Sequence, residues 1–303
     1  RSMPTVELVG RGTVAYQWSG SGPEVIVLLN GSVFNYHQWD MQALPILQRE
    51  LAGHARFLQY DYVGVGGSSA KTVPFGLTDL ADELRDLLDA LSVEQVHLFG
   101  ISKGSLVGQG FLINHRERAL SFCGLGNPNV LSDKLESTFA IFQERLAALE
   151  EIQDLWPERI NRSNYAEVVN RVYVPAMFGK EYRDLTLPER LRALIMRRMI
   201  YPALEGTCIQ TMVDLFGFYL SNVGEEGEIY AAGLPRVQDV PILLLNGTAD
   251  TTTPIHMSRE LAQLLPKAEL VEFEGATHMG PMILRKQAEP VFERACSFFK
   301  GQL

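Results

Sequence analysis

Residues 24–30 read EVIVLLN, an unbroken apolar run closed by one asparagine. Strands with one wet face alternate polar and apolar side chains, so a run that is apolar throughout is covered on both faces, as in the middle of a parallel sheet. Parallel neighbours cannot be joined by tight hairpins; each step needs a crossover, usually a helix. The chain supplies both parts. Further β-type runs lie at 56–61 (RFLQYD), 96–100 (VHLFG) and 119–124 (ALSFCG), with helical stretches between them. The clearest, 79–91, repeats Leu80, Leu84, Leu87, Leu88 and Leu91 at helical spacing behind Thr78 as N-cap. A segment at 38–51 and a helix opening at Ser102 read as further crossovers. At the start, 5–9 and 13–18 flank Gly10-Arg11-Gly12 and read as an antiparallel edge hairpin. The fold class is therefore α/β, with a mostly parallel sheet flanked by helices.

The alternation stops at about residue 131. From there to 234 the sequence shows helical stretches and no convincing strand. Phe139, Phe142, Leu146, Leu149 and Ile152 mark one helix, and Thr186-Leu187-Pro188-Glu189 is a capping box opening another. Strand-type sequence returns at 241–246 (PILLLN) and 269–273 (ELVEF), with helices near 255–265 and 284–299. The expected organisation is a core of 3–130 and 235–303, interrupted by a helical insert at 131–234. Arg1 and Ser2, ahead of Met3, read as an expression remnant and are set aside.

Composition removes several function classes. The net charge of −9 lacks the basic footprint that nucleic acid demands. No apolar run approaches the ~20 residues of a membrane span, and no stretch reads as a secretory signal. Cys123, Cys208 and Cys296 are widely spaced and odd in number, which argues against disulfides or structural zinc. They read as buried small hydrophobes in a reducing, cytoplasmic compartment.

The chemistry concentrates in Phe99-Gly100-Ile101-Ser102-Lys103-Gly104-Ser105, a G-x-S-x-G between a strand and a helix. A nucleophilic serine held in a strained turn needs small residues two positions either side, and Gly100 and Gly104 supply them. The helix beginning there aims its N–H groups at negative charge developing nearby. A serine hydroxyl also needs a base and a group to orient that base. Two later strands run into Gly247-Thr248-Ala249-Asp250 and Gly275-Ala276-Thr277-His278, placing an acid and a histidine at strand C-terminal ends, where open α/β sheets bind ligands. The strand before the insert ends in Asn127 and Asn129, with no carboxylate, which favours Asp250 as the acid. His97 reads as a core histidine; His37, His54, His115 and His256 receive no role. An oxyanion hole takes two backbone donors, here the N–H of Lys103 and that of Ser32 after strand EVIVLLN. The Lys103 side chain itself reads as a solvated residue at the pocket rim.

These residues resemble the α/β-hydrolase superfamily along nearly the whole chain. Asp61-Tyr62-Val63-Gly64-Val65-Gly66-Gly67-Ser68 looks like that family's structural D-x-x-G-x-G-x-S loop, and it fails as a dinucleotide fingerprint because Ser69 holds the third glycine position. The resemblance implies that the insert is a cap over the active site. The family's usual His-Gly of the oxyanion loop is Asn30-Gly31 here. With the NGTAD segment, that loop is similar to bacterial hydroxyacyl transacylases that make lipid precursors, although their elbow carries Trp-Gly where this chain has Lys103-Gly104. Met177, Met196, Met199 and Met212, beside Phe139, Phe142, Trp156, Phe178 and Phe216, imply cap packing with some residues facing an apolar acyl group. Arg190, Arg192, Arg197 and Arg198 read as a solvated face, or as a dock for an acidic acyl carrier.

The reading taken is a serine hydrolase acting without a cofactor on a small-molecule ester or thioester through Ser102, Asp250 and His278. Acyl transfer to an alcohol or thiol is the alternative, and a ligand-binding member of the fold without turnover is a third. Dehalogenase and epoxide-hydrolase readings are disfavoured because those relatives carry aspartate at the elbow.

Overall fold

The computed structural model describes residues 3–69, 76–130, 136–178, 181–221 and 223–303; the side chains of 136–139, 141, 176, 177, 219, 221 and 223 are outside that description. Eight strands follow in chain order: β1 (Thr5–Leu8), β2 (Gly12–Gly20), β3 (Glu24–Leu29), β4 (Ala55–Tyr60), β5 (Val96–Ile101), β6 (Ala119–Leu125), β7 (Ile242–Gly247) and β8 (Ala268–Phe273). They form one sheet in the order β1-β2-β4-β3-β5-β6-β7-β8. The pairs from β4 through β8 are parallel; β1–β2 and β2–β4 are antiparallel.

The apolar run that defines β3 divides between two cores. Val25, Val27 and Leu29 face one side, with the helices Leu77–Ala90, Lys103–Asn114 and Ile255–Leu264; Ile26 and Leu28 face the other, with Ala43–Glu50 and Arg285–Lys300. Each such side chain contributes about 1.5–3 kcal/mol when fully buried, so both faces must be covered. His97 points into the second core, where its Nδ1 lies 2.8 Å from Ser121 Oγ, and burial lowers its pKa.

Strand order reverses between β3 and β5, and Leu29 is level with Gly100 across that pair. The loop after β3 therefore starts beside the turn after β5, which is the crevice such sheets use for ligands. On the other flank β7 and β8 end level, Gly247 opposite Phe273. Their following loops are laced together by Thr248 N–H to Phe273 O (3.0 Å), Ala249 N–H to Ala276 O (3.1 Å) and Gly275 N–H to Thr248 Oγ1 (2.9 Å).

Between β6 and β7 the described residues hold helices and no strand, chiefly Glu136–Glu150, Leu187–Leu204, Ile209–Ser221 and Val223–Gly233. Thr186 opens the second of these through the expected capping box, with Glu189 Oε2 accepting the Thr186 N–H at 2.8 Å. The expected boundary at 131 lies outside the described residues, as do Arg1 and Ser2.

One helix starts earlier than its sequence implies. The expected cap at Thr78 is replaced by Gly76, and the helix runs Leu77–Ala90. The reason is tertiary: Glu226 Oε1, from the insertion, accepts the Leu77 N–H at 3.2 Å and the Thr78 hydroxyl at 3.3 Å. The thiol expectation also needs correcting at Cys208, which is only partly buried, while Cys123 and Cys296 are buried.

Candidate active site

The elbow is built by sterics. Ser102 sits between β5 and the helix Lys103–Asn114 with φ 54° and ψ −117°, a left-sided conformation that costs about 1–3 kcal/mol for a residue with a Cβ. A Cβ on Gly100 would strike the Gly104 carbonyl, and one on Gly104 would strike the carbonyl of Leu29 in β3. Both glycines are therefore required by main-chain packing that cannot move aside.

Ser102 Oγ lies 3.1 Å from His278 Nε2, and His278 Nδ1 lies 2.7 Å from Asp250 Oδ2. Asp250 is buried and its carboxylate can only accept, so Nδ1 carries the ring proton and Nε2 faces Ser102 as an acceptor. The other oxygen, Oδ1, accepts the N–H groups of Thr252 (2.9 Å) and Thr253 (2.8 Å); the Thr253 hydroxyl donates to Oδ2 at 2.7 Å. Burial alone would raise the Asp250 pKa. The charge His278 carries when protonated and the hydrogen bonds from His278 and Thr253 outweigh it and hold the carboxyl below its ordinary value. That stabilisation is in place at neutral pH and is lost as pH falls below about 4, through the depressed native pKa.

Ser32 and Lys103, the two expected oxyanion donors, line the same cavity as Ser102 and His278. Ser32 adopts φ 37°, and the preceding Gly31 N–H is engaged by Gln38 Oε1 at 2.7 Å. Gln38 was invisible to motif reasoning because a glutamine in a short helix carries no signal of its own. Asn30 turns away from the cavity: its Nδ2–H donates to Tyr60 O (2.8 Å) and its Oδ1 accepts the Trp39 Nε1–H (2.9 Å). The Lys103 side chain departs from expectation. It is buried, with Nζ 3.6 Å from the Tyr62 ring centroid, because the helix start folds it back over that aromatic face.

Asp61, heading the D-x-x-G-x-G-x-S loop, accepts the N–H groups of Tyr36 and Gly67, both at 2.8 Å, while Ser68 donates to its carbonyl. Burial pushes its pKa up to about 6 despite those donors. The loop is a brace and its side chains are spent on main chain.

The cavity above Ser102 has a volume of about 350 Å³. Its walls combine Phe34, Val130, Met257, Met279 and Met282 with Phe142, Arg145, Tyr173 and Ile200 from the insertion. Of the insertion aromatics named from sequence, Phe142 reaches this wall. Met196 and Met212 are buried inside the insertion instead; the side chains of Phe139 and Met177 lie outside the described residues. The arginine cluster divides. Arg190, Arg192 and Arg198 are exposed beside exposed Leu191, Leu194 and Ile195, although Arg190 donates to the carbonyls of Leu185 (2.9 Å) and Arg183 (2.7 Å); Arg197 donates to Asn170 Oδ1 (3.3 Å) and lies over Tyr165 and Tyr182. Among the described residues no cluster of His, Cys, Asp and Glu could hold a metal, and no helix is long and apolar enough to cross a membrane.

Residues 24–283 match the family model of the alpha/beta hydrolase fold, a span that includes the whole constellation. The chain belongs to the α/β-hydrolase family. Among its relatives, RutD of Yersinia enterocolitica, named as a carbamate hydrolase, is 32% identical over 98 residues, covering 32% of this chain and only 35% of that protein. The rhodomycin D methylesterase DauP of Streptomyces sp. strain C5 is 23% identical over 287 residues, 90% of this α/β hydrolase and 89% of DauP. A hydrolase from Pseudomonas aeruginosa PA01 superposes with a TM-score of 0.70 at 24% identity, over 98% of each chain. That likeness carries the fold.

Proposed function

We propose that this α/β hydrolase cleaves a carboxylic ester or thioester with a largely apolar body through an acyl-Ser102 intermediate. The observation that carries the reading is the continuous chain Ser102 Oγ–His278 Nε2–His278 Nδ1–Asp250 Oδ2, at 3.1 and 2.7 Å, opening on an apolar cavity. In this reading Ser102 Oγ attacks the carbonyl carbon while His278 takes its proton. The tetrahedral oxyanion rests on the backbone N–H groups of Ser32 and Lys103. The C–O or C–S bond then breaks as His278 returns the proton to the leaving alcohol or thiol. Water, deprotonated by His278, attacks the acyl-Ser102, releasing the acid and restoring the serine. Asp250 keeps the imidazole in the productive tautomer and stabilises the imidazolium. No cofactor enters any step. The insertion acts as a cap that narrows the cavity and limits water around the acyl-enzyme.

An ester-cleaving relative such as DauP fits this chemistry. Acyl transfer would use the same residues, with a carrier docking on the exposed arginine face. It gains no support from Asn30, whose side chain is taken up by Tyr60 and Trp39. The test is a series of acyl esters and thioesters of graded length, assayed with and without hydroxyacyl acceptors. Hydrolysis predicts free acid and thiol in equal amounts, with little change on adding acceptor. Negligible acid release until an acceptor is present, followed by acylated acceptor, would replace hydrolysis by transfer.

A further inference from the structure

One charged group of the cavity has no role in that chemistry. Arg145, on the helix Glu136–Glu150, lines the cavity together with Ser102 and His278, yet among the described residues it forms no ion pair or hydrogen bond. Its Nε is fully buried and without a partner. Its nearest stabilising contacts are two ring faces, Phe142 at 5.9 Å and Phe216 at 5.8 Å from Cζ to centroid. Aromatic faces at that range supply a modest attraction and accept none of the five guanidinium protons. Glu144, the neighbouring carboxylate, is exposed. Arg145 is half-buried as a whole, yet its Nε is sealed from water with no acceptor, so a position serving packing alone would be cheaper as Met or Leu.

A second orphan adjoins it. Tyr173 lies in a turn of π-helix, Val169–Tyr173, a local widening that re-aims the side chains it carries. Its ring stacks on Phe34 from the loop after β3, with centroids 5.7 Å apart, and its hydroxyl is buried without a partner. Tyr173 also lines the cavity. Both residues thus line one largely apolar chamber from the insertion side, while the nucleophile and base line it from the sheet side; the Tyr173 hydroxyl and Arg145 Nε are sealed behind that wall and reach a ligand only when their side chains turn inward.

We infer that Arg145 and the Tyr173 hydroxyl form a subsite for a carboxylate carried by the substrate, so that the ester cleaved at Ser102 is a monoanion with an apolar stretch between its two ends. The charge count selects the anion. One guanidinium neutralises one carboxylate and matches it as a bidentate fork; with the Lys103 ammonium turned onto the Tyr62 ring, a phosphate at ≈ −1.5 to −2 would leave surplus charge against Phe34, Phe142 and Ile200. Burial already pulls the Arg145 pKa downward, consistent with a group waiting for its counter-ion. A neutral substrate would leave both donors unpaired in the complex, which is how a polar pocket rejects the analogue lacking the matching group.

The inference rests on Ser102 being the nucleophile of an ester or thioester hydrolase, and its test separates the two. The probes are p-nitrophenyl monoesters of glutaric, adipic and suberic acid, each beside its neutral methyl-capped analogue. For the wild-type chain kcat/KM should favour the best carboxylate member over its neutral partner by roughly ten- to a hundredfold, the weight of one charge-assisted hydrogen-bonded pair. Arg145→Met should bring the ratio to about unity, Arg145→Lys should leave it intermediate, and Tyr173→Phe should lower it in part. A ratio near unity in the wild type, or one that survives Arg145→Met, overturns the subsite while leaving hydrolysis intact. If no ester turns over, the hydrolase reading fails on its own. Calorimetry with monomethyl adipate then decides the subsite: binding that weakens at least tenfold in Arg145→Met supports it, and equal or absent binding overturns it.

Discussion

Asp250→Asn is the substitution whose outcome the site dictates most fully. The carboxylate has two unlike oxygens. Oδ1 receives two backbone N–H groups, from Thr252 and Thr253, while Oδ2 faces His278 Nδ1 and the Thr253 hydroxyl. An asparagine must place its single oxygen at one of these positions and its NH₂ at the other. An NH₂ at the Oδ1 position would meet two main-chain donors held at fixed geometry, so the oxygen goes there. The NH₂ then occupies the Oδ2 position and donates to His278 Nδ1, which must become an acceptor. The ring proton moves to Nε2, where it points at Ser102 Oγ and blocks that nitrogen from taking the serine proton. Loss of the productive tautomer costs roughly 10⁴-fold in rate, about 5.5 kcal/mol of transition-state stabilisation. The assay is kcat/KM for the best ester, with the fluorophosphonate labelling rate of Ser102 falling in parallel. A melting curve establishes that the variant is folded, and ¹⁵N chemical shifts of His278 report the tautomer directly. Activity within tenfold of wild type in a folded variant would refute the assignment of Asp250 as the orienting acid.

Two further outcomes concern the scaffold. Gly104→Ala drives a Cβ into the Leu29 carbonyl of a central strand; such overpacking costs about 1–3 kcal/mol or more, so Tm should fall by several degrees, and an unchanged Tm would show that the elbow has slack. Asp61, with its native pKa raised to about 6, binds more protons folded than unfolded between its ordinary value near 4 and 6. Stability should therefore decline as pH rises through that window, by up to about 3 kcal/mol in all, and urea midpoints in which wild type and Asp61→Asn change in parallel from pH 4 to 7 would contradict it.

The sheet was legible because parallel strands covered on both faces are written as continuous apolar runs; β3, β5 and β7 carry that signature within their own few residues. Ser102 and Asp250 were legible for a related reason, since each follows such a strand and the turn at Ser102 demands glycines at fixed offsets, while His278 was legible from its place after the mixed-pattern edge strand β8. Features assembled from distant segments left no local trace. Glu226 sits 149 residues from the Leu77 N–H it accepts, and so moved a helix start that Thr78 alone did not predict. Lys103 folds over Tyr62 across the same kind of distance, whereas Gln38 on the Gly31 N–H and Thr253 on Asp250 are local contacts that no periodicity encodes. Arg145 in sequence is one more charged residue on an amphipathic helix. Its place in the wall of an apolar cavity exists only once the insertion is folded over the sheet.

The central claim is a covalent acyl-Ser102 intermediate, and its most direct measurement is intact-protein mass spectrometry after acid quench within the first turnover of a p-nitrophenyl ester, with the modified peptide sequenced. The account predicts a mass increase equal to the acyl group, located on Ser102, absent in Ser102→Ala and longer-lived in Asp250→Asn. Acyl mass on another residue, or steady release of acid with no acyl-enzyme formed under conditions where deacylation limits the rate, would contradict it.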